Sequence, residues 1–405
     1  MATTRRSLAA GTAGLALAAP RLALAQTPGV TASEIRIGNT MAYSGSVSAL
    51  GVVQGRTMEA FFRMVNDAGG VGGGRKVRFL SYDDGYSPPK TVEQVRRLVE
   101  QDRVACLFST LGTPTTSAIL RYTNGRKVPN LFPSTGADKW SNYREYPWTI
   151  GFAPSYRIEA QLYTRHLLAA RPEGRFAVLY QNDDFGRDYV HGARDVIGAE
   201  RFDGTARLAT YEATDPTIDS QLLSLQAAGV ESLILAVTAK FGSMAIRKMH
   251  EIGWRPNYCI HYGANSVGLV IRPAGPERAV GLTTAAYLKD PTDPAWAEDA
   301  GMKEWRAFMA LYMPEGDLTD LNHVYGYAAS RAMHQVLRQC GDDLSRENIM
   351  RQATNLNDVE LPTLLPGIRL NSSPTNYRPI RQMQLQRWTG QAYERFGPLM
   401  EGSVA

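Results

Sequence analysis

Lys76-Val77-Arg78-Phe79-Leu80-Ser81-Tyr82 runs through Asp83-Asp84-Gly85-Tyr86 into Ser87-Pro88, and after a stripe at Val92, Val95, Leu98 and Val99 the chain reaches Val104-Ala105-Cys106-Leu107-Phe108. The first segment alternates apolar and polar residues, as a strand does. Ser87 can cap a helix and Pro88 suits its first position; the four apolar residues that follow give that helix a buried stripe. Val104 to Phe108 is wholly apolar, as expected of a strand in a sheet with helices on both faces. Strand, helix, strand in this order is the unit of a parallel α/β sheet.

The same rhythm extends in both directions. Upstream, Glu34 to Gly38 reads as a strand, and Gly51 to Asn66 as a helix with Met58, Phe61, Phe62 and Val65 on one face, stopped at Asp67-Ala68-Gly69-Gly70. Downstream, Thr113-Pro114 starts a helix and Val128 to Phe132 is a strand. The pattern then restarts: strands at Arg175–Tyr180, Leu208–Tyr211, Ser232–Val237 and Tyr258–His261 alternate with helices from about Arg187, over Ile218–Ala228 and over Phe241–Ile252. Beyond Pro294 the reading is helical at Ala295–Tyr312, Leu321–Gln339 and Ser345–Thr354, with Met383–Trp388 as a last strand that ends the chain. The expectation is an α/β protein of two doubly wound parallel-sheet units in series, a repeat of architecture without a repeat of sequence.

The N-terminus reads as a secretory signal peptide over residues 1–25: a positive start at Arg5-Arg6, an apolar run from Leu8 to Ala19, and small residues at Ala23-Leu24-Ala25 before Gln26. That run is too short to span a bilayer. The paired arginines leave the export route open between the general and the twin-arginine systems. Three of the 44 basic residues (Arg5, Arg6, Arg21) and no acid precede Gln26, so the remainder carries 41 basic against 39 acidic groups. Nothing in that balance points to nucleic acid. Cys106, Cys259 and Cys340 are too few for a disulfide scaffold, and none stands where a lipid-modified N-terminus would need it.

Enzyme signatures are missing. Gly69 to Gly74 has a helix before it and a strand after it, the reverse of a phosphate loop, and reads as a helix-ending turn. There is no Gly-x-Ser-x-Gly elbow, and the six histidines show no metal-ligand spacing and read as surface or core residues. Tyr82-Asp83-Asp84-Gly85 and Asn182-Asp183-Asp184-Phe185-Gly186 both sit between a strand and a helix, where turn and cap chemistry accounts for the acids. No catalytic residue, metal or cofactor is expected. Open α/β sheets bind ligands beyond the carboxyl ends of their strands. At those ends this chain places Tyr43-Ser44-Gly45-Ser46, Ser109-Thr110-Leu111-Gly112-Thr113, Ser134-Thr135-Gly136-Ala137 and Thr238-Ala239-Lys240. Small hydroxyls and helix N-termini bind a carboxylate without a basic side chain, so a small-ligand cleft is expected there.

Ile35-Arg36-Ile37-Gly38, Tyr43-Ser44-Gly45, Val65 to Val71, Tyr82-Asp83-Asp84, Val128-Pro129 with Ser134-Thr135, and Tyr180 to Asp183 with Phe185-Gly186 together resemble one family over essentially the whole mature chain. The chain is similar to the type I periplasmic solute-binding proteins, in the branch that includes the Leu/Ile/Val-binding protein of ABC importers. The resemblance implies two lobes joined by three crossovers, near Phe152-Ala153, near Thr283-Thr284 and in Pro366–Ile380, with 26–152 and 284–375 in the N-terminal lobe and 153–283 and 376–405 in the C-terminal one. It implies a periplasmic, monomeric receptor that closes on a small carboxylate and hands it to permease subunits in the inner membrane.

Carried over position by position, the resemblance puts the Thr110 hydroxyl and the Ser134 and Gly136 amides on the ligand carboxylate, with Thr135 standing in for a hydroxyl lost at Gly136 and Phe185 as an aromatic lid. Tyr86 and Ser109 occupy the places of the family's early disulfide. Gly263 stands where amino-acid binders keep an acid for the ligand ammonium, and a buried ammonium without such a partner is costly. Tyr43, Tyr156, Phe185, Tyr262 and Tyr325 suit a flat apolar ligand body or a core. The chain looks most similar to the branch that takes up aromatic carboxylates such as benzoate or hydroxycinnamate types. Two alternatives stay open: an amino-acid receptor in which Asp184 serves the ammonium, and an exported hydrolase or sensory module on the same fold.

Overall fold

The computed structural model describes residues 27–402, so the signal-peptide reading of residues 1–25 falls outside the described part. The first sheet comprises β1 (Glu34–Met41), β2 (Lys76–Asp83), β3 (Cys106–Phe108), β4 (Asn130–Leu131) and β5 (Thr149–Ile150) in the order β2-β1-β3-β4-β5, all parallel. The second comprises β6 (Phe176–Gln181), β7 (Arg207–Tyr211), β8 (Ser232–Ala236), β9 (Asn257–Ile260), β10 (Thr283–Ala286), β11 (Gln382–Trp388) and β12 (Tyr393–Glu401) in the order β12-β11-β10-β9-β8-β6-β7. Its pairs are parallel from β7 to β10 and antiparallel from β10 to β12. Interleaved are α1 (Ser48–Asp67), α2 (Pro88–Arg96), α3 (Thr113–Gly125), α4 (Tyr156–Ala170), α5 (Asp184–Ile197), α6 (Ala199–Thr205), α7 (Asp219–Ala227), α8 (Ala239–Glu251), α9 (Arg272–Ala274), α10 (Ala300–Tyr312), α11 (Leu321–Cys340) and α12 (Arg346–Ala353).

The expected α/β architecture is present, and the chain passes between the sheets three times. It leaves the first sheet after β5, returns after β10 so that α11 packs on α1, and re-enters the second sheet at β11. Phe61 of α1 meets Tyr327 of α11 edge to face at 5.4 Å. The two helices come close at Gly326, where a Cβ would lie 2.9 Å from the Thr57 Cβ.

Three expectations change. The chain does not end at the strand read over Met383–Trp388: β12 follows and pairs with it. Gly397-Pro398 reads as a strand breaker, but β12 is an edge strand whose register slips between Met383 and Leu385, and edges and bulges are where both residues are tolerated. Thr283–Ala286, where a crossover was expected, is a strand hydrogen-bonded to β9 and β11. Ser87 is the N-cap residue of α2, but its hydroxyl makes no cap bond. The three cysteines are buried and free, and burial pushes the Cys106 and Cys340 thiols up to about 12. Among the described residues no helix is long and apolar enough to cross a membrane.

The helices α4 and α5 carry part of one wall of the cavity described below and touch through Gly192, where a Cβ would fall 2.3 Å from the Arg157 carbonyl and 2.7 Å from the Ala160 Cβ. Gly192→Ala is expected to destabilise by about 1–3 kcal/mol through overpacking. Thermal unfolding followed by circular dichroism should show a lower Tm, and an unchanged Tm would contradict this close approach.

Candidate ligand cavity between the sheets

A cavity of about 90 Å³ lies at the carboxyl ends of both sheets. That is several times the roughly 10–15 Å³ needed to hold one water, which leaves room for a small organic molecule. The first sheet supplies Gly112, Thr113, Ser134 and Thr135; the second supplies Phe185, Thr238, His261, Tyr262 and Gly263; Tyr86, Tyr156, Tyr287 and Tyr325 add their rings. Among the described residues no Asp, Glu, Lys or Arg lines it.

The hydroxyl-rich end is made by backbone geometry. Ser109 follows β3 with φ 53° and Phe132 follows β4 with φ 56°. Each left-handed residue costs about 1–2 kcal/mol and turns the chain out of its strand. Gly112, at φ 95°, then leads into α3; a Cβ there would fall 2.4 Å from the Tyr86 ring, which covers it. Thr113 opens α3, whose first amides have no partner within the helix, and its Oγ1 lies 2.6 Å from Thr135 Oγ1. Ser134 donates to Gln54 Oε1 at 2.6 Å, and Gln54 donates to Asn322 Oδ1 at 3.3 Å, which ties this loop to α1 and α11. The Tyr156 hydroxyl faces Thr135 and the Gly136 amide, and burial pushes it well up. The Tyr325 hydroxyl is buried without a firm partner, beside Ser134 and Ser109; burial pushes it up to about 12.

The second wall is organised by Glu159 on α4, which is fully buried. Its Oε1 accepts from Tyr163 Oη at 2.6 Å and from the Tyr262 amide at 2.7 Å; its Oε2 accepts from Tyr189 Oη. Burial, together with the Glu159 charge, raises both phenols well above their ordinary range, so they stay protonated. His261 Nδ1 lies 2.6 Å from Tyr189 Oη and 3.3 Å from Glu159 Oε2. The His261 ring is packed among Tyr156, Phe185 and Tyr262, with centroids 5.0, 5.0 and 4.6 Å away.

Ten of the residues singled out from the sequence line this cavity: Gly112, Thr113, Ser134, Thr135, Tyr156, Phe185, Thr238, Tyr262, Gly263 and Tyr325. Six do not. Tyr43 turns its hydroxyl to Ser81 at 2.7 Å. Ser44 is held by Asp83, which also takes the Tyr43 and Gly85 amides, the turn chemistry expected of that acid pair. Ser109 serves as the backbone pivot, and Thr110 is fully buried behind the wall with its Oγ1 3.0 Å from Thr116 Oγ1. Gly136 makes room: a Cβ there would fall 2.3 Å from the Tyr262 hydroxyl. Asp184 is bound by Lys139 and Arg187 outside the cavity; burial pushes its carboxyl up, but those cations outweigh it and hold it low. Asp183 beside it caps α5.

Sequence reading missed Glu159, Tyr86, Gln54, Tyr287 and the site role of His261. His261 could have been found, because it ends a strand recognised from its sequence. Glu159 gave no signal: Tyr163 is its neighbour four residues along the same helix, but only the fold brings Tyr189 and His261 to it.

Beside the cavity, Asp138 joins the two halves. It accepts from Ser155 Oγ at 2.7 Å and from Arg378 at 2.6 Å, and its amide donates to Asp188 Oδ2 on α5 at 2.8 Å.

A family model described as periplasmic binding protein matches residues 34–392. The Leu/Ile/Val-binding protein homolog 7 of Brucella suis biovar 1 (strain 1330) is 22% identical over 368 residues, covering 88% of this chain and 89% of its own. A branched chain amino acid ABC transporter structure from Thermus thermophilus with bound valine superposes with a TM-score of 0.80 at 15% identity, covering 92% of this chain and 97% of that one. An ABC transporter solute binding protein from R. palustris in complex with benzoate superposes with a TM-score of 0.75 at 19% identity, covering 92% and 98%.

Desolvation raises the Asp188 carboxyl to about 7, against about 3.9 in an unfolded chain. The native state then holds this proton more tightly, so the residue's contribution falls as pH rises from about 4 to about 7. Asp188→Asn, which can still accept from the Asp138 amide, is expected to raise Tm by a few degrees at pH 8 and to leave it unchanged near pH 4. Calorimetry at the two pH values checks this; equal effects at both would refute it.

Proposed function

This chain belongs to the periplasmic binding protein family, a family of solute-binding proteins, and from that premise we propose that it is the receptor of an ABC importer for a small aromatic carboxylate. The observation that carries the reading is the division of the cavity. Hydroxyls of Thr113 and Thr135 stand at the N-terminus of α3 on one side, and the rings of Tyr86, Phe185, Tyr262 and Tyr287 line the rest. A carboxylate suits the first set, because helix amides and hydroxyls stabilise an anion without a fixed cation. A flat apolar body suits the second, because aromatic walls stack on it and exclude water.

In this reading residues 1–25 direct export and are removed, and the mature chain works in the periplasm as a monomer beside permease subunits of the inner membrane. Residues 27–152 and 287–375 act as one lobe and 153–286 and 376–402 as the other, with β10 counted in the second, and each crossover absorbs part of the opening motion. Ligand touching both lobes favours the closed state by its extra affinity for that state. The carboxylate contact assigned from the family to Thr110 passes to Thr113, whose side chain reaches the cavity wall. An amino-acid ligand is disfavoured because Asp184 is engaged by Lys139 and Arg187. The likeness to a benzoate complex supports the reading through its fold alone.

A thermal-shift screen of the mature protein tests this, with benzoate and cinnamate in one arm and leucine and valine in the other. A ligand at 100 times its Kd adds about 2.7 kcal/mol, a rise of several degrees. Shifts with the aromatic acids alone support the reading, and shifts with the amino acids alone refute it. By titration calorimetry, Thr113→Val is expected to weaken binding by about 1–3 kcal/mol. Thr110→Val should leave affinity in place and lower Tm; the reverse pattern would return the carboxylate contact to Thr110.

A further inference from the structure

The second wall holds a polar atom that no described residue engages. His261 follows β9 and lines the cavity with Gly263. Its ring orientation is fixed from behind. Tyr189 gives its proton to Glu159 Oε2, so toward His261, 2.6 Å away, its oxygen can only accept. His261 Nδ1 therefore carries hydrogen, and the tautomer this fixes presents its lone pair at Nε2. Nε2 has no hydrogen-bond partner among the described residues and lies over Gly263, where a Cβ would approach it to 2.4 Å. Glycine at this position leaves Nε2 uncovered. Beside Gly263 this chain thus offers an acceptor nitrogen to the cavity.

We propose that His261 Nε2 is the specificity-determining contact for a hydroxyl on the ligand, so that the receptor selects hydroxylated aromatic carboxylates over the unsubstituted acids. This rests on the reading of the cavity as an aromatic-carboxylate site and adds to it which second group is recognised. A hydroxyl needs one acceptor, and Nε2 supplies one. An ammonium brings a charge and three donors, and Glu159 cannot answer it directly, because Tyr163, Tyr189 and the Tyr262 amide already occupy its oxygens. A ligand without a donor there leaves Nε2 buried and unpaired, which costs affinity. The rings of Tyr156, Phe185 and Tyr262 around His261 keep the contact dry, which strengthens it.

The test is titration calorimetry of the mature protein with benzoate and with 2-, 3- and 4-hydroxybenzoate, repeated on His261→Phe and on Gly263→Ala, whose new methyl group displaces the imidazole. At least one isomer is expected to bind about tenfold tighter than benzoate, and the ratio of the two dissociation constants should fall to near one in both variants. His261→Gln, whose amide reaches the position of Nε2, should restore part of the ratio. Benzoate binding with no isomer tighter, or a ratio that survives in His261→Phe, overturns the proposal. Loss of all binding in both variants overturns it too, because the group would then serve the acid itself. If neither benzoate nor any isomer binds the wild type, the aromatic-carboxylate reading has failed, and this proposal fails with it.

Discussion

A carboxylate without water must be paid in hydrogen bonds, and Glu159 collects them from three elements. Tyr163 comes from its own helix, Tyr189 from α5, and the Tyr262 amide from the turn after β9. Tyr163 Oη also lies 2.8 Å from the Ile260 carbonyl and accepts from the Ala285 amide at 2.8 Å, so the ends of β9 and β10 are held by the same cluster. Removing one partner would leave a buried charge short of donors, which is far costlier than the modest net value of the bond itself. The positions of His261, Tyr262 and the backbone after β10 are consequences of satisfying one side chain. The wall of the cavity is therefore as rigid as that cluster.

The opposite wall is built on another principle. It has no buried charge at its centre, and its shape comes from two left-handed residues and a glycine at the ends of β3 and β4. The strain is repaid by the bonds that follow: the Ser134 amide to the Thr110 carbonyl at 2.9 Å, and the Gly112 amide to the Ser134 carbonyl at 3.3 Å. The loops after the two strands pair with each other, so Thr113 and Thr135 meet as neighbours although 22 residues separate them. One side of the cavity is held by electrostatics and the other by backbone conformation, and residues of both line it.

The sequence made the architecture legible because each core strand is short, apolar and bounded by turn residues. It hid β12, whose Gly397-Pro398 is acceptable only at an edge, and β5, which has two residues. The strand-end rule identified the right loops, and ten of sixteen residues drawn from it and from the family resemblance reach the cavity. The misses have a common cause. A loop's position can be read from periodicity, but which of its residues turns inward depends on φ at one or two residues. Ser109 in the left-handed region sends Thr110 behind the wall and brings Thr113 forward. Glu159 was invisible for a different reason: its partners lie on three elements.

The absence of disulfides has a practical side. Cys106, Cys259 and Cys340 are the only cysteines, all buried, and burial holds each thiol above its ordinary range, far from the thiolate form that reacts. A cysteine introduced on the surface would be the one accessible nucleophilic sulfur in the folded molecule. A dye or an electrode could be attached there in a single step, without first deleting native thiols, and the fold would need no oxidising compartment to form. The scaffold is in that sense already prepared for use as a reagentless optical sensor.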